Sequence, residues 1–117
     1  MFKTWVVVAG AERARIFAMK DARVPLLELA DIDNAFDGTT PERTNGDRFA
    51  DQIATRVEAA GADDVFDDLI LVGEPEVIGR IRDRVSDRTR RRLRRVLTEP
   101  IVTANETQLR RSLRARS

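Results

Sequence analysis

Nine arginines fall between positions 80 and 95, at Arg80, Arg82, Arg84, Arg88, Arg90, Arg91, Arg92, Arg94 and Arg95. A guanidinium is a planar, permanently charged fork that suits phosphate and carboxylate oxygens. Several on one side would neutralise a run of phosphates and make binding strongly salt-dependent. In helical projection Arg80, Arg84, Arg88 and Arg91 can share a stripe. The competing reading is a solvated face whose arginines pair with acids of the same chain. The charge distribution keeps both open: residues 1–79 hold 8 basic and 16 acidic residues, net −8, and residues 80–117 hold 13 and 4, net +9. With one Trp, five Phe and no Tyr there is little to stack on bases, so sequence-specific RNA reading is not supported.

The sequence contains neither Cys nor His. That excludes disulfides, thiolate zinc sites, a cysteine nucleophile and Ser-His triads, along with the commonest general base. Neither glycine-rich phosphate-loop pattern occurs, and Gly73 stands alone between a strand and a helix whose first turn holds Glu74 and Glu76. The acids Asp63, Asp64, Asp67 and Asp68 lack the spacing of a calcium loop and read as a solvated connection.

These groups must be positioned by a chain of 117 residues and 13.2 kDa, enough for one domain spanning 1–117. Residues 3–9 are a β-branched run suited to a central strand, and Gly10-Ala11-Glu12 turns into a second strand at 13–19, paired antiparallel. A third strand is expected over 24–32, with Leu27 and Leu29 facing one way and Leu26, Glu28 and Ala30 the other. Residues 33–46 read as a surface loop. Thr44 and Asp47 have the form of a capping box for a helix over 47–60, with Phe49, Ile53 and Val57 on one face and Gly61 ending it. Leu69–Gly73 reads as a short buried strand, followed by a helix from Glu74-Pro75 to Val85. Ser86-Asp87 caps a further turn or two at 88–93. A last strand is expected over 95–102, at an edge because Pro100 interrupts it, and a helix opens at Thr103.

The order β-β-β-α-β-α-β-α predicts an α/β fold with a mixed five-stranded sheet and helices on both faces. Right-handed crossovers lay strands four and five beside strand one, giving the order 3-2-1-4-5 with strand two antiparallel. That is the topology of the three-layer ribonuclease-H-like fold. Metal-dependent nucleases of this topology need an acid on strand one, but here that strand ends Val8-Ala9-Gly10. Asp47, Asp51, Glu74 and Glu106 would lack that central ligand.

Trp5-Val6-Val7-Val8-Ala9, Arg13-Ala14-Arg15-Ile16-Phe17 and Leu26-Leu27-Glu28-Leu29 resemble the opening of the bacterial host attachment family. The likeness continues through Arg48-Phe49-Ala50, Phe66-Asp67-Asp68-Leu69-Ile70-Leu71-Val72 and Leu97-Thr98. That family is similar to the middle domain of archaeal and eukaryotic-type peptide chain release factors, which implies a ribosome-facing or RNA-facing ancestry, while its name implies a role in attachment to host cells. The sequence departs from the pattern in having Gly10-Ala11 for the usual Asp-Gly turn, a short loop after strand three and no Gly-Gly-Gln. Peptidyl-tRNA hydrolysis, which needs that last motif, is not carried over.

The expectation is a non-enzymatic domain without cofactor or metal. No signal peptide or membrane-length apolar run is read, so the cytoplasm is its expected location. The expected partner is a macromolecule, RNA or the ribosome, contacted by Arg13, Arg15, Arg88, Arg90, Arg91, Arg92 and Arg94. The alternatives are a protein-interaction or homodimerisation module and, behind it, a metal-dependent nuclease.

Overall fold

The computed structural model describes residues 4–19, 27–34, 42–98 and 111. Strand β1 (Thr4–Ala9) is buried along its whole length, as a β-branched run between two neighbours requires. It pairs antiparallel with β2 (Arg13–Met19) and parallel with β4 (Asp68–Gly73). β2 pairs antiparallel with β3 (Leu27–Asp33), and β4 pairs parallel with β5 (Leu93–Leu97). The sheet order is β3-β2-β1-β4-β5, as expected.

Alternation along β1 and β4 divides the core into two faces. Trp5, Val7, Ala9, Ile16, Leu69 and Leu71 meet the helices, while Val6, Val8, Phe17, Ile70, Val72 and Leu97 are buried on the opposite face. Helix α1 (Glu42–Ala62) presents Phe49, Ile53 and Val57 to the first face. Helix α2 (Pro75–Arg84) adds Val77, Ile78 and Ile81. Each of these side chains stabilises the fold by about 1.5–3 kcal/mol through removal from water. A short helix α3 (Asp87–Arg92) runs directly into β5.

Four expectations need correction. The first helix starts at Glu42, so Thr44 and Gly46 lie inside it and Thr44 is not its cap. The Arg80 guanidinium lies where a Cβ on Gly46 would stand. Gly61 does not end α1: the helix continues to Ala62 and closes with Asp64 at φ +55°. The Asp64 N–H donates to the Gly61 carbonyl (3.1 Å) and the Val65 N–H to the Ala60 carbonyl (3.0 Å), the paired bonds of a Schellman ending. Gly61 lies within the last turn beside Phe66 and Thr89, at distances where a Cβ would make ordinary contacts.

The third correction is in β3, which begins at Leu27 and carries a bulge. Ile16 faces Ala30 but Phe17 faces Glu28, leaving Leu29 as the extra residue. Glu28 therefore shares the face of Phe17 rather than that of Ala30. Finally, β5 starts at Leu93, two positions earlier than expected. The expected strand residues 24–26 and 99–102, Pro100 included, lie outside the described residues. So does the helix expected from Thr103, apart from helical Arg111.

Candidate functional site

The expected contact arginines separate into two groups. Arg13 and Arg15 stand on β2, whereas Arg88, Arg90, Arg91 and Arg92 belong to α3 and Arg94 to β5. β1 and β4 lie between β2 and β5 in the sheet. The structure does not gather these seven residues onto one patch.

On the β2 side, Arg13 grips Asp31 with two donors, Nε to Oδ1 (2.7 Å) and Nη2 to Oδ2. The bond from Arg13 holds the Asp31 carboxyl below the usual carboxylate range, and the same contact raises the Arg13 guanidinium further. Arg15 donates to Glu28 (2.7 Å) and lies 4.8 Å over the Phe17 ring. The bulge makes this contact available by bringing Glu28 onto the face of Arg15 and Phe17.

On the far side, Ser86 accepts from the Thr89 N–H and starts α3 after an extended Val85. That break interrupts the helical stripe expected through Arg80, Arg84, Arg88 and Arg91. Arg88 and Arg92 both donate to Oδ1 of Asp64, at 3.2 and 2.9 Å. Arg92 donates further to the carbonyls of Gly61 (3.2 Å) and Phe66 (2.9 Å) and sits 5.8 Å over the Phe66 ring. Arg90 reaches Asp87 (3.0 Å), Arg91 reaches the Asp87 carbonyl (3.3 Å), and Arg94 lies 3.9 Å from Asp68.

Arg80 and Arg84 form an interhelical network. Arg80 contacts Asp47 (3.3 Å) and Glu76 (2.9 Å), and Arg84 contacts Asp47 (3.1 Å) and Asp51. Glu76 and Arg80 are an i, i+4 pair within α2, whereas the partners on α1, Asp47 and Asp51, were not legible in the sequence beyond the opposite charges of its two halves. The i, i+4 spacing of Asp47 with Asp51 and of Arg80 with Arg84 was the available signal.

Among the described residues the carboxylates do not converge on a metal site. Asp47 and Asp51 are engaged by arginines, while Glu74 accepts from the Ala11 N–H (3.1 Å). Glu106 lies outside the described residues. Among the described residues no three acids are grouped so that they could hold a metal, and no helix is long and apolar enough to cross a membrane. Beside α3 an open cleft of about 330 Å³ is bordered by Glu58, Gly61, Ser86, Arg88, Thr89 and Arg92. Burial pushes the Glu58 carboxyl up, but bonds from Thr89 and from Ser86, whose N–H lies at 2.6 Å, bring it below its ordinary value.

This is a mixed α/β domain with arginine-carboxylate pairs on both sides of the sheet. An archaeal translation termination factor, aRF1, shares the fold at a TM-score of 0.63 and 14% identity, over 97% of this chain and 38% of that one. A structure described as an archaeal protein matches at a TM-score of 0.55 and 13% identity, again over 97% and 38%. The chain therefore spans well under half the length of these two neighbours. No curated protein matches. Residues 33–113 match the family model described as "Protein required for attachment to host cells", and the chain belongs to that family.

Proposed function

We propose that this host attachment family domain is a non-enzymatic, cytoplasmic module that binds a macromolecular polyanion, RNA or the ribosome, through the arginines of α3 and β5. The observation that carries the reading is the exposure of their ion pairs: Arg88, Arg90 and Arg94 keep 59%, 42% and 61% of their side chains accessible while paired. Exposed pairs of this kind are worth only about 0–1 kcal/mol. A phosphate chain arriving with many charges can exchange for such carboxylates at small cost. The fold shared with a translation termination factor supports a partner in translation. Arg13 and Arg15 stand apart as a second contact.

A pull-down from native lysate at low and high salt tests this. Ribosomal RNA should be recovered at low salt and lost at high salt. Its absence at low salt would overturn the reading.

A second reading, a protein-interaction or homodimerisation module, draws on β3. This edge strand exposes Leu27 at 48% and Leu29 at 40%. Light scattering over a concentration series should show a rising mass for a homodimer, and a constant monomer mass contradicts one.

A further inference from the structure

Asp64 occupies a position that local structure does not assign to a carboxylate. It closes α1 in the left-handed region, where glycine or asparagine is usual. It also sets a negative charge at the negative end of the helix dipole, and α1 has no basic residue in its last turn. What the carboxylate satisfies is the pair Arg88 and Arg92, both of which bond to the same oxygen, Oδ1.

The two guanidinium groups are held very differently. Arg92 is 20% exposed and fixed independently of Asp64 by the Gly61 and Phe66 carbonyls and the Phe66 ring. Its Nη2 donor would stay in place if Asp64 withdrew. Arg88 is 59% exposed and Asp64 69%, so that side of the contact opens to water. A phosphate group presents charged acceptor oxygens of the same kind and can take both guanidinium donors in place of the Asp64 carboxylate. Glu58 borders the adjoining cleft together with Arg88 and Arg92.

We infer that Arg88 and Arg92 form a phosphate site occupied in the free protein by the Asp64 carboxylate, which an RNA backbone phosphate displaces on binding. This rests on the polyanion-binding reading above and names the residues through which it would be regulated.

The test measures binding of the full chain to a labelled twelve-nucleotide oligouridylate by anisotropy, with inorganic phosphate as a separate arm. Asp64→Asn keeps a residue that tolerates the left-handed backbone. It should bind the RNA about 3–10-fold more tightly than the natural chain. Asp63→Asn, which changes the net charge equally next door, should shift affinity less than about twofold. Adding Arg88→Ala to Asp64→Asn should abolish the gain, with circular dichroism confirming the fold. Phosphate binding at Arg92 can be followed by the emission of Trp5, the chain's one tryptophan, whose ring lies 5.3 Å from Phe66. Equal RNA affinities for Asp64→Asn and the natural chain overturn the inference while leaving the polyanion reading intact. Absence of RNA binding by every form overturns both. Binding of free phosphate without RNA overturns the assignment to an RNA backbone.

Discussion

Gly73 lies against Ala9 at the end of the parallel β1–β4 pair, with φ +142° and no space for a Cβ in front of the Ala9 carbonyl. The next residue, Glu74, donates its N–H to that carbonyl (3.2 Å) and accepts the Ala11 N–H with its carboxylate (3.1 Å). The carboxyl ends of β1 and β4 are where open α/β sheets commonly receive ligands. In this protein their backbones are joined and the nearby acid is committed to a turn.

Gly73→Ala should accordingly be among the most damaging single-methyl changes in the chain. Both the left-handed backbone and the steric conflict with Ala9 oppose it. A loss of about 3 kcal/mol or more is expected, read as a lower urea midpoint with an unchanged slope.

Gly79→Ala should act in the opposite direction. Gly79 lies inside α2, and a Cβ there meets nothing within 4 Å. The helix should gain about 0.5–1 kcal/mol, visible as a higher Tm.

The α1–α2 network should make a modest, salt-sensitive contribution. Arg84→Ala removes the contacts to Asp47 and Asp51 and the bond to the Arg80 carbonyl (2.9 Å). A loss of about 1 kcal/mol is expected at low ionic strength. Chemical denaturation in urea should show the gap narrowing as sodium chloride is added.

Stability should also fall in acid. Asp31, Asp64 and Glu58 all have folded-state pKa values below their ordinary ones. Depressed carboxyl values contribute stability that is fully present above the unfolded pKa, about 4. It is lost as the pH falls from there through the lower folded values. Glu58→Gln should therefore be less stable than the natural chain at pH 7, with the difference closing toward pH 2 in thermal melts.

Elements governed by local pattern were legible in the sequence. β1, β2 and β4 follow from apolar runs punctuated by Gly10 and Gly73, and the sheet order follows from short turns and right-handed crossovers. The misread features depend on neighbours. The bulge at Leu29 is a property of register with Ile16 and Phe17, and the start of α1 at Glu42 places Gly46 in a helix beside Arg80 of α2. The break of the arginine stripe did leave a trace, since Ser86 is a helix cap. The pairing of Asp64 with Arg92 spans 28 positions and arises only when the end of α1 meets α3.

The most direct test of polyanion binding is the salt dependence of affinity for single-stranded RNA. With about four or five phosphates contacted by α3 and β5, the logarithm of the binding constant should fall against the logarithm of salt concentration with a slope near −3. Removing Arg90, Arg91 and Arg94 together should flatten that slope. No binding at low salt, or an affinity insensitive to salt, would contradict the proposed function.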